Sequence, residues 1–123
     1  MIIGKVNSIK QAVVSLELSG SDGQKEILEA VIDTGYDGYL SVTPSIAARL
    51  QLPFRETRTY ELGSGELFDF PVHDVAIQWD GDLKIIASIV TEGGVLIGMS
   101  LLSGYTLFID ATYGGVVQID SRP

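Results

Sequence analysis

The chain has 123 residues, no cysteine, and a net charge of −8 from 8 Lys and Arg against 16 Asp and Glu. This length predicts a single domain, 1–123, and the acidic charge argues against nucleic acid and membrane surfaces as partners, because both repel a negatively charged protein. The lack of cysteine excludes disulfides and thiolate sites and is compatible with a reducing compartment, so we expect a soluble, cytoplasmic protein.

The first part of the chain predicts a β-hairpin that leads into an acidic turn. Apolar and polar residues partly alternate over 12–18, an Asp-Gly turn follows at 21–24, and a second strand returns over 26–32. Asp33 comes directly after the apolar run that ends this strand, and Thr34 and Gly35 follow it. An ionised carboxylate in an apolar setting is costly unless it is hydrogen-bonded or shares a proton. Asp33 is therefore a candidate catalytic acid.

One short helix and two further hairpins are predicted after this turn. Thr43 can cap the helix, Pro44 suits its first turn, and Pro53 ends it. A long hairpin over 57–70 has a glycine-containing tip, and a second hairpin over 75–90 crosses an Asp-Gly turn. A helical turn is predicted over 99–102. Many strands with one or two short helices predict a small, mostly β, barrel-like fold.

Other chemistries lack the residues that they need. His73 is the only histidine, which argues against a Ser-His-Asp triad and against a zinc site. Asp80 and Asp82 lack the remaining ligands of a calcium loop, and 93–98 lacks the Lys-Ser or Lys-Thr of a phosphate-binding loop. We therefore expect no metal and no cofactor.

Three segments resemble the signature segments of the retropepsin-like aspartic proteases, which comprise the retroviral proteases and their cellular and prokaryotic relatives. Residues 30–42, with Asp33-Thr34-Gly35 and then Tyr36-Asp37-Gly38-Tyr39-Leu40, resemble the active-site strand and loop. Residues 62–66 resemble the glycine-tipped flap. Residues 95–102 resemble the second signature, two apolar residues and a glycine before a short helix. The resemblance, closest to prokaryotic single-domain members, implies a small closed β-barrel.

The same resemblance implies an aspartic endopeptidase, which hydrolyses a peptide bond by water attack with one ionised and one protonated carboxyl. Because the chain has one Asp-Thr-Gly, a homodimer would supply Asp33 twice across a twofold interface. The segment 116–119 is a candidate dimer contact, and the substrate would be a peptide or protein. The implied active-site support is Thr34, Gly35, Asp37, Ile97 and Gly98, and the implied flap and substrate-binding residues are Leu62, Gly63, Ser64, Gly65 and Tyr36.

Two positions depart from the family pattern. Tyr36 stands where many members have Ala or Ser, so we expect it to narrow or reshape the substrate pocket. Met99 stands where viral members commonly have an Arg that ties down the active-site loop. The departures leave an alternative open, a weak or inactive retropepsin-like dimer that acts as a peptide-binding or interaction module. If Asp37 plays the role of the loop acid, its usual partner is missing. The sequence contains Arg49, Arg55 and Arg58 but does not show that any of them reaches Asp37.

Overall fold

The chain forms one continuous sheet of ten strands with two short helices, in a computed structural model that describes residues 1–123. The helices are α1 (Pro44–Arg49) and α2 (Met99–Leu102). No helix in this fold is long and apolar enough to cross a membrane. The strands are β1 (Ile2–Val6), β2 (Ala12–Ser19), β3 (Lys25–Ile32), β4 (Leu40–Val42), β5 (Phe54–Glu61), β6 (Leu67–Trp79), β7 (Asp82–Val90), β8 (Leu96–Ile97), β9 (Tyr105–Ile109) and β10 (Val116–Ser121).

Six of the strands close into a barrel. They follow one another in the order β6-β7-β4-β8-β3-β2, and a further antiparallel pairing of β2 with β6 closes the ring, with Leu18 opposite Ile77. β5 pairs only with β6 and extends beyond the ring, whereas β1, β10 and β9 continue the sheet outward from β2. The prediction of a mostly β, closed barrel with two short helices is confirmed.

The barrel interior holds most of the apolar core. Successive residues of a strand face opposite sides of the sheet, so every second side chain of β2 points into the barrel. These side chains, Val14, Leu16 and Leu18, are at most 3% exposed. Trp79 is fully buried at the end of β6, where its ring packs edge-on against Tyr105 with 5.6 Å between centroids. Each fully buried large side chain contributes about 1.5–3 kcal/mol, so apolar burial holds this cysteine-free sheet together.

The turns and the helix cap that the sequence predicts are present in the structure. β2 and β3 pair across a turn in which Gly23 has a φ of +83°. Asp80 and Gly81 join β6 to β7 with φ values of +51° and +88°, as a tight hairpin turn requires. The Thr43 hydroxyl accepts a hydrogen bond from the Ile46 amide and caps α1. β6 is one strand of 13 residues and belongs to both of the later predicted hairpins, since it pairs with β5 and with β7.

The segment 116–119, a candidate dimer contact, has no free backbone edge in this fold. β10 is paired on one side with β1 and on the other with β9, so it has no free edge. Val117 and Ile119 are fully buried in the core of their own chain. The strand at this end of the sheet is β9 instead, and its outer edge has no partner within the chain.

Candidate active site

Asp33 lies in the loop directly after β3, and two neighbouring strands fix its position. The parallel pairing of β3 with β8 places Ile32 beside Ile97. The Asp33 amide then donates to the Ile97 carbonyl at 2.9 Å, which continues the ladder by one residue. Backbone hydrogen bonds thus join the acid of the first motif to the apolar pair of the second motif, so both segments build the same site.

The Asp33 carboxylate is oriented by its own loop. Its Oδ1 accepts a hydrogen bond from the Gly35 amide at 3.0 Å, and the Tyr36 amide donates to the Asp33 carbonyl at 3.2 Å. Asp33 is partly buried, whereas Thr34 and Gly35 are exposed beside it. A Cβ on Gly35 would lie 3.3 Å from Oδ1, a tight contact. The glycine therefore leaves the carboxylate room at the surface of the loop.

Backbone hydrogen bonds tie this loop to the start of α2. The Gly98 amide donates to the Tyr39 carbonyl at 3.0 Å, and the Met99 amide donates to the Tyr36 carbonyl at 2.8 Å. The Ser100 amide donates to the Gly38 carbonyl at 3.1 Å, and its hydroxyl donates to the Asp37 carbonyl. The sequence has Met99 where viral members commonly have an arginine that holds the active-site loop. Here, main-chain hydrogen bonds and the Ser100 hydroxyl hold the loop against the start of α2.

None of the three candidate arginines pairs with Asp37. Their guanidinium groups lie 2.6–2.9 Å from other carboxylates: Arg49 pairs with Glu26, Arg55 with Asp74, and Arg58 with Glu56. The Asp37 side chain is exposed, and no cation of its own chain lies within ion-pair distance of it. Within a single chain, none of these arginines therefore replaces the missing one, because other acids pair with all three.

Tyr36 is seated over two glycines. A Cβ on Gly38 would come within 2.3–2.8 Å of the Tyr36 ring and hydroxyl, and a Cβ on Gly98 would lie 2.7 Å from its Cδ2. The Tyr36 hydroxyl donates to the Leu40 carbonyl at 3.3 Å. Burial, with smaller contributions from Tyr60 and Asp37, raises the pKa of Tyr36 to about 12, so the phenol stays neutral at physiological pH.

The β5–β6 hairpin forms a flap over the loop. Its tip is closed by the Leu62 amide, which donates to the Glu66 carbonyl at 2.9 Å, and by the Gly65 amide, which donates to the Leu62 carbonyl at 2.8 Å. Gly65 has a φ of +86°, which favours glycine there. Tyr60 packs edge-on against Phe70 with 5.9 Å between ring centroids. The tip side chains are exposed, so few contacts oppose its movement.

A cleft of about 680 Å³ separates the flap from the loop. Of the sequence-predicted site residues, this cleft brings together Asp33, Gly35, Tyr36, Asp37, Leu62 and Gly63. Five others are not in its lining. Thr34 lies exposed beside Asp33, Ser64 and Gly65 lie at the flap tip, and Ile97 and Gly98 are buried beneath the loop.

Sequence reasoning missed several residues that line the cleft. Ser41 is the most informative, because it is a buried hydroxyl within an apolar strand and it bonds both the Gly94 carbonyl, at 2.8 Å, and the Leu96 amide, at 3.1 Å. A serine between Leu40 and Val42 is the signal that could have found it. The other missed residues are Thr59, Tyr60, Glu61, Phe70, Ile89, Thr91, Gly93 and Leu96.

Comparison with known proteins supports the fold. No family model matches the chain, and no curated protein matches it. Among solved structures, the chain is similar to a retropepsin-like aspartic protease from Rickettsia conorii, with a TM-score of 0.64 and 17% sequence identity. The match covers 99% of this chain and 92% of that one. The chain therefore has the retropepsin-like fold that its three sequence segments imply.

Proposed function

We propose that this chain is an aspartic endopeptidase that hydrolyses peptide bonds with Asp33 from each of two copies. The observation that carries the proposal is the position of Asp33, on the floor of a cleft that a hairpin with an exposed tip covers, in a retropepsin-like fold. An extended peptide fits between a floor and a flap of this kind, and closure of the flap would exclude water from the reaction.

The chemistry needs two carboxyls that share one proton. The ionised carboxylate takes a proton from the attacking water, while the protonated carboxyl donates a hydrogen bond to the scissile carbonyl oxygen. Asp37 and Glu61 line the same cleft, yet neither is hydrogen-bonded to Asp33, whose Oδ1 bonds the Gly35 amide. A second copy of Asp33, related by a twofold axis, is therefore the proposed second acid.

The surface next to Asp33 suits contact with a second copy. Thr34 is exposed, and its hydroxyl makes no hydrogen bond within the chain, so it is free to bond the loop of a partner. A groove of about 600 Å³ beside this loop is lined by Val31 and Ile32, which precede Asp33, and by Ile109 and Tyr113 near the free edge of β9. Tyr113 is 78% exposed. Burial of these apolar side chains would stabilise the dimer.

A binding module remains the second candidate because of Tyr36. Its ring fills space in the cleft, and a peptide could be held there without reaching the geometry for water attack. In either case we propose that residues 1–123 act as one domain, since all ten strands share one sheet, and that they act in the cytoplasm.

The deciding experiment compares wild type, Asp33→Asn and Asp82→Asn on a mixed peptide library from acidic to neutral pH. Asparagine keeps an oxygen for the Gly35 amide, so Asp33→Asn should fold normally. Asp82 is an exposed acid where β7 begins and is the matched control. We expect cleavage by wild type and Asp82→Asn only. Cleavage by Asp33→Asn would contradict the mechanism, and binding without cleavage by wild type would support the module.

A further inference from the structure

One wall of the cleft is a short loop, residues 91–95, which joins β7 to β8 and is here called the wall loop. Thr91 and Gly93 of this loop line the cleft that contains Asp33. Gly94 follows Gly93 and has a φ of +97°. Because glycine restricts the backbone little, the sequence of the wall loop does not by itself select one conformation. Contacts from elsewhere in the fold must keep the loop in a fixed position.

The wall loop is bonded well at its two ends and weakly within itself. Its first amide donates to the carbonyl of Val42 on β4, and its last carbonyl accepts from the amide of Val31 on β3, each at 2.9 Å. Between these ends, the Gly93 amide lies 3.4 Å from the Thr91 hydroxyl, which is long for a hydrogen bond. The middle of the loop therefore depends on a partner outside it.

Ser41 of β4 is that partner. Its side chain is 2% exposed, and its hydroxyl donates to the Gly94 carbonyl at 2.8 Å. The same oxygen accepts from the amide of Leu96, the first residue of β8, at 3.1 Å. The Gly94 carbonyl has no other hydrogen-bond partner in the chain. One buried hydroxyl thus fastens the middle of the wall loop to the base of the loop, where water does not compete for the bond.

The catalytic acid does not depend on this serine. The Asp33 amide is bonded to the Ile97 carbonyl at 2.9 Å, and its carboxylate is bonded to the Gly35 amide at 3.0 Å. Neither bond involves β4 or the wall loop. Loss of the Ser41 hydroxyl should therefore loosen one wall of the cleft and leave Asp33 in place.

We propose that Ser41 is a positioning residue of the cleft: its buried hydroxyl holds the wall loop, before any substrate arrives, in the conformation that binds an extended peptide. This inference rests on the proposed function. A loop that is already ordered spares the peptide the cost of ordering it. When only a fraction of the molecules has the binding-competent loop, the apparent dissociation constant rises by the inverse of that fraction. The chemical step in the bound complex is unchanged.

The test compares wild type, Ser41→Ala and Ser88→Ala on members of the mixed peptide library that wild type cleaves. Ser88 is the matched control, because it is also buried in a strand and its hydroxyl donates to the His73 carbonyl at 2.9 Å, outside the cleft lining. Both variants lose one buried hydroxyl, so denaturant unfolding should show similar destabilisation. Only Ser41→Ala should raise KM, by about fivefold to tenfold, with kcat changed by less than about twofold.

Two further measurements do not depend on turnover. In the Asp33→Asn background, Ser41→Ala should weaken binding of the library peptides by the same factor as it raises KM, and Ser88→Ala should not. In the protein without peptide, amide hydrogen exchange over 92–96 should be faster in Ser41→Ala than in wild type or Ser88→Ala, because the loop opens more often.

The outcomes separate this inference from the proposed function. If wild type cleaves nothing, while Ser41→Ala weakens peptide binding and speeds exchange over 92–96, the endopeptidase proposal fails and the role of Ser41 stands. Unchanged exchange in Ser41→Ala would overturn the role of Ser41, whatever the activity. A lower kcat with the same KM would also overturn it, and so would an equal rise in KM in both serine variants.

Discussion

Tyr36 lies directly against Gly98, so that a Cβ at position 98 would come within 2.7 Å of the tyrosine ring and 2.1 Å of the Gly38 carbonyl oxygen. The contact joins the active-site loop to the residue before α2. Gly98→Ala should therefore destabilise the protein by about 1–3 kcal/mol, the usual cost of overpacking. Denaturant unfolding measures the change.

The control for this prediction is Gly63→Ala at the flap. No atom lies within 4 Å of a Cβ built there, so the free energy of unfolding should change by less than about 0.5 kcal/mol. If both variants unfold at the same denaturant concentration as wild type, the loop can shift away from the added methyl group. The close packing of Tyr36 on Gly98 would then be incidental.

Tyr36 should ionise at a higher pH than a tyrosine in water. Its pKa is raised to about 12 from the usual value of 10, chiefly by burial. Folding therefore favours the protonated phenol, so this contribution to stability is complete below pH 10 and is lost as pH rises toward 12. Because the ring is only partly buried, we expect the loss to be about 1 kcal/mol, less than the full conversion of the shift.

Absorbance titration of tyrosinate tests this prediction in wild type and Tyr36→Phe. The chain has 5 tyrosines, and the difference between the two curves isolates the one that is removed. We expect the difference to appear above pH 11. A difference that appears near pH 10 would mean that water reaches the phenol freely and that burial does not perturb Tyr36.

The features that sequence predicted well are those with local signals. The turn at Gly23, the cap at Thr43 and the strand before Asp33 each depend on residues within a few positions of one another. The closure of the barrel is different, because Leu18 meets Ile77 across a large sequence separation and no turn motif marks that pairing. Closure came only from resemblance to a known fold.

The candidate site divides in the same way. Asp33 and the flap tip are identifiable from motifs, but the full lining of the cleft is not, because Tyr36 of the loop and Tyr60 of β5 come to it from different elements. Whether an arginine reaches Asp37 could not be read from the sequence for a related reason. Three arginines are available in the sequence, and the acid that each one meets depends partly on the fold. Glu56 lies two residues from Arg58 on β5, but Arg55 meets Asp74 of β6 and Arg49 meets Glu26 of β3.

Tyr113→Asp should weaken self-association if the groove beside Asp33 is the dimer surface. The side chain is 78% exposed, so the fold should tolerate the change, while a buried charge at an interface would be costly. Ile85→Asp is the matched control, because Ile85 on β7 is 74% exposed and lies far from the groove. The strand pairings align Ile85 with Lys25 at the start of β3, whereas Asp33 follows the end of that strand. Analytical ultracentrifugation should show a larger monomer fraction for Tyr113→Asp only. Equal effects of both variants would place the interface elsewhere.

Mixing subunits tests the shared dyad most directly. If each active site needs Asp33 from both copies, wild type that exchanges with a ninefold excess of Asp33→Asn should retain only about one tenth of its activity, because most wild-type chains then sit in mixed dimers. Excess Asp82→Asn should instead add activity, since its dimers keep both catalytic acids. Activity that stays proportional to the amount of wild-type chain would mean that one Asp33 suffices. The second carboxyl would then have to come from the same cleft, where Asp37 and Glu61 are the acids within reach.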